Sequence, residues 1–327
     1  MEWCVFVAGI DDNGRRLDRV LSRLLKNVPV HSPFPLLRKK LIRVNGHKAE
    51  GKTTVRNGDE IQIAAFLFKN AGPHSTSIKP KLNSQPPFLT LFRNQHLWII
   101  EKPRGMAVQP LSTPERSVCD WVAQSVAQES LSFVPAPLHR LDRHTSGLLV
   151  ISQSLAGARW FSKALSAGTV QKWYVGLASG TLTATEHWES KIAGNSKIGK
   201  FYTVSVSENN AFKNQKQNSP AKTTATPLAQ GSYRGIPVTL VQFQIHTGKK
   251  HQIRAQAAEN AHPLLGDTAY GAPPLDSGAA FFLHALRLRV PENNPVGLPP
   301  VLEAPLPADF KKMLDSSLIH WNGQVII

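Results

Sequence analysis

The feature that most constrains the fold of this chain is a polar segment in its first third, from Lys69 to Phe88. Its sequence, KNAGPHSTSIKPKLNSQPPF, is rich in Pro, Ser, Asn and Lys and offers few residues that could enter a core. Such a composition is typical of a linker between folded units. We therefore predict an N-terminal strand and small module over residues 1–68, a linker over 69–88, and a large domain over 89–327.

The overall composition favours a polyanionic partner. The 327 residues carry a formal net charge of +16, with a pI of about 10.0, which favours nucleic acid or an anionic membrane surface. No apolar stretch approaches the roughly 18 residues needed to span a bilayer, and the first residues lack the basic start of a signal peptide. Because Cys4 and Cys119 are the only cysteines, no disulfide framework is expected. We expect a cytoplasmic protein without a membrane partner.

Much of the positive charge lies in the predicted module. Between Gly14 and Lys69, thirteen Lys or Arg stand against four Asp or Glu, which is +9 of the +16. Apolar residues at helical spacing predict a first helix with a basic opposite face; they are Leu17, Val20, Leu21, Leu24 and Leu25. A second short helix is predicted to carry Leu36, Leu37 and Leu41 and to expose the basic run Arg38-Lys39-Lys40.

Two turn signals follow the predicted helices. Val44-Asn45-Gly46 is typical of a hairpin, and Val55 to Ile63, with Asn57-Gly58-Asp59 inside it, predicts a return strand and its turn. A basic face beside a hairpin supplies phosphate contacts that position RNA without reading its sequence. An ordinary solvated helix face is the alternative.

The arrangement from Arg16 to Ile63 resembles the small RNA-binding module named after ribosomal protein S-four. It departs from that pattern between Val30 and Pro35, where two prolines stand at the expected start of the second helix. The resemblance implies RNA contacts from the basic residues Arg38, Lys39, Lys40 and Arg43.

One carboxylate in the large domain stands out by its setting. Asp142 lies between Arg140 and Arg143, and the apolar run from Leu148 to Ile151 predicts a buried strand just after it. Two nearby guanidiniums favour the ionised carboxylate, which suits a nucleophile that must meet a polyanion. An isolated Asp of this kind is more often a turn cap or a salt-bridge partner. The whole string, HRLDRHTSGLLV, resembles the signature HRLDxxTSGLL of the RluA-class pseudouridine synthases and implies that Asp142 is catalytic.

Further elements match the same class. The turn Lys102-Pro103-Arg104-Gly105 matches its KPxG element and is interpreted as structural, with an RNA contact from Lys102 as the lesser alternative. Lys172-Trp173-Tyr174 matches its KxY element, which implies that Tyr174 stacks on the target base. A core aromatic is the alternative for Tyr174, and Trp173 is expected on the opposite face of the strand.

The string Thr247 to Arg254, TGKKHQIR, follows a predicted strand and resembles the class element TGRxHQIR. The resemblance implies that Arg254 sits against Asp142. Lys249 replaces an arginine of the class pattern, and Gln256 stands where a histidine is usual, which puts a peripheral contact in doubt. Three further matches are interpreted as structural: Gly266-Asp267, Tyr270-Gly271 and Leu283-His284-Ala285. Because matched motifs lie on both sides of it, the polar stretch from Ser207 to Thr223 is interpreted as an insertion within this domain.

No cofactor or metal is expected. His246 and His251 flank a Gly-Lys-Lys turn with no carboxylate cluster or cysteine pair nearby. The sequence carries no phosphate-loop or dinucleotide fingerprint. A metal-dependent nuclease would need paired carboxylates, which the sequence does not suggest.

The resemblance implies an α+β fold, in which a catalytic domain with a mixed, largely antiparallel sheet and a central cleft accompanies a small N-terminal α/β RNA-binding module. It implies a cofactor-free RNA pseudouridine synthase with Asp142, Tyr174 and Arg254 as catalytic residues. RNA contacts in the large domain are expected from Arg140, Arg143, Lys172, Lys249 and Lys250. Class members with the S-four-type module mostly modify large-subunit ribosomal RNA, so this substrate is favoured, and a monomer is expected. The alternatives are a synthase acting on transfer RNA and a non-catalytic RNA-binding or ribosome-assembly protein.

Overall fold

The structure is a computed structural model that describes residues 1–29, 31–68, 85–112, 114–126, 130–195, 200–204, 219–276, 278 and 280–324. Residues 69–84 of the predicted linker lie outside the described residues, as do residues 207–218 of the predicted insertion. The end of that predicted insertion belongs to a strand that begins at Ala221.

The N-terminal residues form a module with two helices and six short strands. The strands are β1 (Trp3–Val7), β2 (Arg15–Arg16), β3 (Ile42–Val44), β4 (His47–Lys48), β5 (Thr54–Val55) and β6 (Glu60–Ala64), and the helices are α1 (Leu17–Leu24) and α2 (Phe34–Arg38). Four strands pair in the order β1-β6-β3-β4, and β2 pairs with β5, all antiparallel. The predicted apolar face of α1 is buried against this sheet, where it forms the module core.

The turns of the module follow the sequence with two differences. Asn45 and Gly46 have φ of 50° and 77°, so they form the tight turn between β3 and β4 that Asn-Gly favours. α2 ends at Arg38, and the left-handed φ of 57° at Lys40 stops it before Leu41, which was predicted inside the helix. The Asn57-Gly58-Asp59 turn joins β5 to β6, which pair with different strands and not with each other.

The remaining elements build one large sheet with helices packed beside it. Its strands are β7 (Leu89–Arg93), β8 (Leu97–Lys102), β9 (Thr145–Ser152), β10 (Gln171–Ser179), β11 (Glu186–Asn195), β12 (Lys200–Val204), β13 (Ala221–Tyr233), β14 (Ile236–Ile245), β15 (Leu283–Arg289) and β16 (Val301–Glu303). The helices are α3 (Val118–Ser125), α4 (Leu155–Ser166), α5 (Gln252–Glu259) and α6 (Ala308–Ser316). Short 3-10 helices cover Ile10–Asp12, Ala65–Phe68 and Thr268–Tyr270.

The large sheet has the order β12-β11-β13-β14-β10-β15-β9-β8-β7, with β16 beside β15. The pairing of β9 with β15 is parallel, and the other described pairings in this sheet are antiparallel. All eight residues of β9 are buried, as the apolar run predicts. Because β9 begins three residues after Asp142, this rigid central strand sets where the predicted catalytic loop leaves the sheet.

The close approach of β9 to β15 depends on Gly147. Its φ is 105°, and an added Cβ would lie 2.3 Å from the carbonyl oxygen of Ala285. One residue earlier in each of these strands, the Nδ1 of the buried His284 ring lies 2.9 Å from the Ser146 hydroxyl. Burial lowers the pKa of His284 to about 4, so the ring is neutral and serves the fold, as the sequence predicts.

We expect Gly147→Ala to lower the free energy of unfolding by about 3 kcal/mol or more, because strain and a backbone collision act together. Urea denaturation followed by circular dichroism measures the change. Gly168→Ala is the matched control: its φ is 71° and no atom lies within 4 Å of the added Cβ, so strain alone should cost about 1 kcal/mol. Equal losses in the two variants would contradict the close-approach argument.

Candidate active site

The predicted catalytic loop folds back onto β9. The Leu138 amide donates to the Val150 carbonyl oxygen at 2.8 Å, and the Val150 amide donates to His139 Nε2 at 3.1 Å. The Thr145 amide donates to the Asp142 carbonyl oxygen at 3.1 Å, which closes the turn into the strand. These bonds leave the Asp142 side chain at the end of the sheet, where 15% of it is exposed.

Lys102 supports this loop from inside. Its side chain is fully buried and donates from Nζ to the carbonyl oxygens of Pro103 (2.9 Å), Met106 (2.8 Å) and Arg143 (3.1 Å). Burial lowers the pKa of Lys102 to about 7, partly opposed by the charge of Asp142. The ammonium therefore ties the KPRG turn to the loop that holds Asp142, and in this structure it has no open path to RNA.

Arg254, on α5, lies against Asp142 as the resemblance implies. Its Nη1 is 3.3 Å from Asp142 Oδ2, and its Nε and Nη2 donate to Asp267 at 2.7 and 2.8 Å. Burial alone would lower the pKa of Arg254, but its hydrogen bonds to Asp267 and the charges of both carboxylates raise that pKa above its ordinary value. The guanidinium also packs over the rings of Tyr270 and Phe281, 4.8 and 4.3 Å from their centroids.

Asp267 is a site residue that the sequence interpretation took for part of a turn. Its side chain is 2% exposed, and its two oxygens hold the guanidinium in a fork-to-fork arrangement that fixes the plane of Arg254. The sequence signal that could have indicated this role is an acidic residue inside an otherwise apolar buried turn. The sequence spacing between Asp267 and Arg254 does not indicate that they are in contact.

His251 is a second site residue beyond those that the sequence predicts, where it is considered only as a metal ligand. It precedes α5 with a left-handed φ of 56°, and its Nε2 lies 3.7 Å from Asp142 Oδ1. Its Nδ1 lies 3.0 Å from the Tyr270 hydroxyl. Burial raises the pKa of Tyr270 to about 12, so that hydroxyl keeps its proton. When Nδ1 accepts from that hydroxyl, a proton on Nε2 faces Asp142.

Tyr174 and Lys172 lie on the same side of β10, facing a cavity of about 250 Å³ beside Asp142. The cavity walls are Leu138, Leu165, Ile245 and Leu283 together with residues of the TGKKHQIR loop. Burial, and then the charge of Asp142, raise the pKa of Tyr174, so its hydroxyl stays protonated. Trp173 is buried but does not line this cavity.

A second cavity, of about 670 Å³, opens on the other side of Asp142. Asp142, Arg140 and Lys250 line both cavities, as do Leu141, His251 and Arg254. The carboxylate thus borders both a smaller cavity, with Tyr174 and apolar side chains in its wall, and a wider one, and basic side chains line both cavities. This arrangement could admit a flat base on one side and sugar-phosphate on the other.

The predicted RNA contacts fall into three groups. Arg140, Lys172, Lys249 and Lys250 meet at the first cavity, although Lys172 is almost fully buried. Arg143 lines the second cavity, pairs with Glu115 at 2.5 Å and donates to the Gly105 carbonyl oxygen. The others lie in the N-terminal module: Arg38, Lys39 and Lys40 are exposed, and Arg43 packs over the Trp3 ring, 4.7 Å from its centroid.

Gln256, at the position where a histidine is usual, is fully buried and joins α5 to two strands. Its Nε2 donates to the Ser190 hydroxyl and the Ala221 carbonyl oxygen, and its Oε1 accepts from the Thr223 hydroxyl. This residue therefore contributes to the support of α5 and not to the surface of either cavity.

Within the described residues, no group of three or more His, Cys, Asp or Glu is arranged to hold a metal ion. No helix in the same part of the chain has the length and apolar character needed to cross a bilayer.

Comparison with known proteins gives consistent matches over sequence and structure. Residues 96–259 match the family model described as RNA pseudouridylate synthase. The ribosomal large subunit pseudouridine synthase C of Vibrio vulnificus (strain CMCP6) is 26% identical over 323 residues, covering 95% of this chain and 96% of that protein. The corresponding protein of Haemophilus influenzae is 29% identical over 87% of this chain and 86% of its own length. Ribosomal large subunit pseudouridine synthase D of Nitrosomonas europaea is 28% identical over 94% and 86%.

Two human structures share the fold. RNA Pseudouridylate Synthase Domain Containing 4 aligns with a TM-score of 0.54 at 21% identity, covering 71% of this chain and 94% of that one. Domain Containing 1 aligns with a TM-score of 0.52 at 22% identity, covering 72% and 90%. The predicted α+β fold is confirmed. Because the family model matches half of the chain, including the region of Asp142, Tyr174 and Arg254, the chain belongs to the RNA pseudouridylate synthase family and is an RNA pseudouridine synthase of the RluA class.

Proposed function

We propose that this enzyme converts uridines of large-subunit ribosomal RNA to pseudouridine with Asp142 as its reacting carboxylate. The observation that carries the proposal is the place of Asp142 on the partition between the two cavities, held by Arg254 at 3.3 Å. No other acidic side chain lines both cavities among the described residues. The site is proposed to work without metal or cofactor, in a cytoplasmic monomer.

In the proposed reaction, a uridine leaves its stack and enters the cavity beside Tyr174. Asp142 acts on the ribose or the pyrimidine ring, the glycosidic bond breaks, and the uracil turns within the cavity. The ring then rejoins the sugar through a carbon, any bond to Asp142 is released, the proton on that carbon departs, and the nitrogen that left the sugar takes up a proton. Because atoms are only rearranged, the step needs no external oxidant, reductant or energy source.

The surrounding side chains have complementary roles in this proposal. Tyr174 provides a flat partner for the flipped base, a contact worth about 1–3 kcal/mol. Arg254 orients Asp142, and Asp267 keeps the guanidinium in its plane. Arg140 helps to fill the space that the base leaves, and Lys172, Lys249, Lys250 and Arg143 attract phosphates.

The choice of ribosomal RNA is supported by two observations. The relatives named ribosomal large subunit pseudouridine synthase C or D match over most of their own length, so the similarity extends to the N-terminal residues. Those residues form a separate core and expose the basic run Arg38-Lys39-Lys40. We propose that residues 1–68 are an S-four-type RNA-binding module, that 69–88 link it to the rest, and that 89–327 form the catalytic domain.

The substrate is tested by incubating the purified chain, without added metal or nucleotide, with unmodified large-subunit ribosomal RNA and with transfer RNA transcripts. Pseudouridines are then mapped by their base-specific chemical adduct. Discrete positions in the ribosomal RNA are the expected result. Modification of transfer RNA alone would replace the proposed substrate, and binding without modification of either RNA would contradict a catalytic role.

We expect Asp142→Asn to abolish pseudouridine formation while RNA affinity stays within about threefold of wild type, because the change removes the reacting anion and only one charge of the site. Single-turnover assays and filter binding at fixed salt measure the two quantities. Asp18→Asn, which alters a carboxylate paired with Arg16 on the module surface, is the control and should retain full activity. Substantial turnover by Asp142→Asn would exclude Asp142 as the reacting group.

The pH dependence should report Lys172. Burial lowers the pKa of Lys172 to about 8, so its positive charge is present below that pH and lost above it. We therefore expect kcat/KM for RNA, which follows the free enzyme, to fall as pH rises through about 8. Lys172→Met should have lower kcat/KM than wild type below about pH 8, approach the wild-type value above that pH, and lack this step. Lys102 stays in place in that variant, so an unchanged step would assign the titration to Lys102 or another group.

A further inference from the structure

Asp12, outside the active site, is a fully buried carboxylate that joins the N-terminal module to the large domain. It accepts hydrogen bonds from the amides of Leu131 (2.8 Å) and Ser132 (2.9 Å) and from the hydroxyls of Ser130 (2.8 Å) and Ser132. The Gly9 amide, in the module itself, donates a fifth at 3.0 Å. Four of the five donors thus belong to a segment more than a hundred residues away in the chain.

Three further contacts surround this carboxylate. Arg15 Nη1 donates to the carbonyl and hydroxyl oxygens of Ser132 at 3.1 and 3.0 Å. Asp11 Oδ1 accepts from the Leu155 amide at 2.7 Å, at the first turn of α4. Leu131, between the two serines, packs against the apolar core of the module. Polar and apolar contacts therefore meet at one interface, which we call the Asp12 latch: Asp11, Asp12 and Arg15 with residues 130–132 and Leu155.

The latch is complete as a hydrogen-bonding unit. A carboxylate offers about four lone-pair sites, and Asp12 has donors for all of them. Burial alone would raise the pKa of Asp12, but the hydrogen bonds from Ser132, Leu131, Gly9 and Ser130 lower it below its ordinary value. The group is therefore ionised at neutral pH. Removing it would leave several buried donors without an acceptor, which is costly.

The latch lies at a defined distance from the active site. The Leu155 amide in the latch and Leu165 in the cavity wall belong to the same helix, α4. Ten residues separate them, which is about 15 Å at the rise of an α-helix. Residues 130–132 also lead directly into Leu138, another residue of the cavity wall. A module fixed at the latch is thus fixed relative to Asp142.

We propose that the Asp12 latch holds the basic N-terminal module at a set distance from Asp142 and that this distance selects which uridine of a folded RNA is modified. The inference rests on the proposed function, because it concerns the same reaction. Phosphate contacts of the module then act as a fixed reference point for the flipped base. A module on a free tether would raise the local RNA concentration without such selection.

The test uses the full chain with Asp12→Asn, which keeps the side-chain shape but removes the charge and turns an amide toward the donors of residues 130–132. Small-angle X-ray scattering should show an increase in maximum dimension. On unmodified large-subunit ribosomal RNA, the wild-type sites should be modified about tenfold more slowly, and further uridines should appear in the map. Asp18→Asn, which alters a carboxylate bonded to Arg16 and to the Arg19 backbone within the module and away from the latch, should match wild type in both measurements.

A second variant protects the test from misfolding of the module. Ser130→Ala with Ser132→Ala removes two latch donors from the large domain and leaves every residue of the module unchanged. It should open the molecule and relax site choice in the same direction. If neither variant changes the scattering, the latch does not hold the module. If either variant opens but modifies the same uridines at the wild-type rate, the selection role is wrong.

The two proposals fail in different ways. A wild-type chain that modifies neither ribosomal nor transfer RNA contradicts the proposed function, whatever the scattering shows. A wild-type chain that modifies discrete uridines, together with variants that open and keep its site choice, contradicts only the selection role. Arg38→Ala with Lys39→Ala and Lys40→Ala adds a direct check: it should slow modification in the wild-type background and have a smaller effect beside Asp12→Asn.

Discussion

The arrangement on which the active site depends is one guanidinium shared unequally by two carboxylates. Arg254 makes two short bonds to Asp267 and one longer contact to Asp142. A buried ion pair is expensive to desolvate unless its hydrogen bonds are satisfied, and Asp267 meets most of that requirement. Asp142 therefore has a positive charge at a fixed position beside it, although its own contact with that charge is long. Its other oxygen lies 3.7 Å from His251 Nε2. The carboxylate borders both cavities and, in the proposed reaction, is desolvated further when a base enters.

The loop that carries Asp142 is supported by buried contacts to its backbone. Lys102 gathers three carbonyl oxygens under the loop, one of them that of Arg143, next to Asp142. Gly147 allows the strand after the loop to approach β15 closely. The position of the carboxylate thus follows from the central strands. This explains why matched motifs distant in sequence, the KPRG turn, the HRLD string and the TGKKHQIR loop, converge at one end of the sheet.

The sequence predicts the local elements of the fold, and the motif resemblance predicts that Arg254 contacts Asp142. The spacing of Leu17 to Leu24 predicts α1, Asn45-Gly46 predicts a hairpin turn, and the run after Asp142 predicts a buried strand, since each signal is local. Of the two carboxylate partners of Arg254, the resemblance predicts Asp142 but not Asp267, because only the geometry of the folded site links Asp267 to Arg254. The roles of His251, Gln256 and Asp12 depend on contacts across 19 to 120 residues, and a sequence pattern does not encode such contacts without their geometry. Leu41 falls outside α2 because the left-handed Lys40 ends the helix, a backbone choice that apolar spacing does not reveal.

Asp12 and Asp142 are both largely buried carboxylates, but they differ in the number of hydrogen-bond donors around them. This difference distinguishes a structural role from a chemical one. Asp12 accepts five hydrogen bonds from amides and hydroxyls that already belong to the fold, and its negative charge also interacts with Arg23. Such an anion is stable, chemically quiet and suited to holding two parts of a chain together. The contacts described for Asp142 are two cationic or polarisable partners at 3.3 and 3.7 Å, both longer than a strong charge-assisted bond. An anion that is held in place by few and long contacts keeps its reactivity. The same residue type therefore fixes the architecture at one position and, in the proposed reaction, breaks a glycosidic bond at the other.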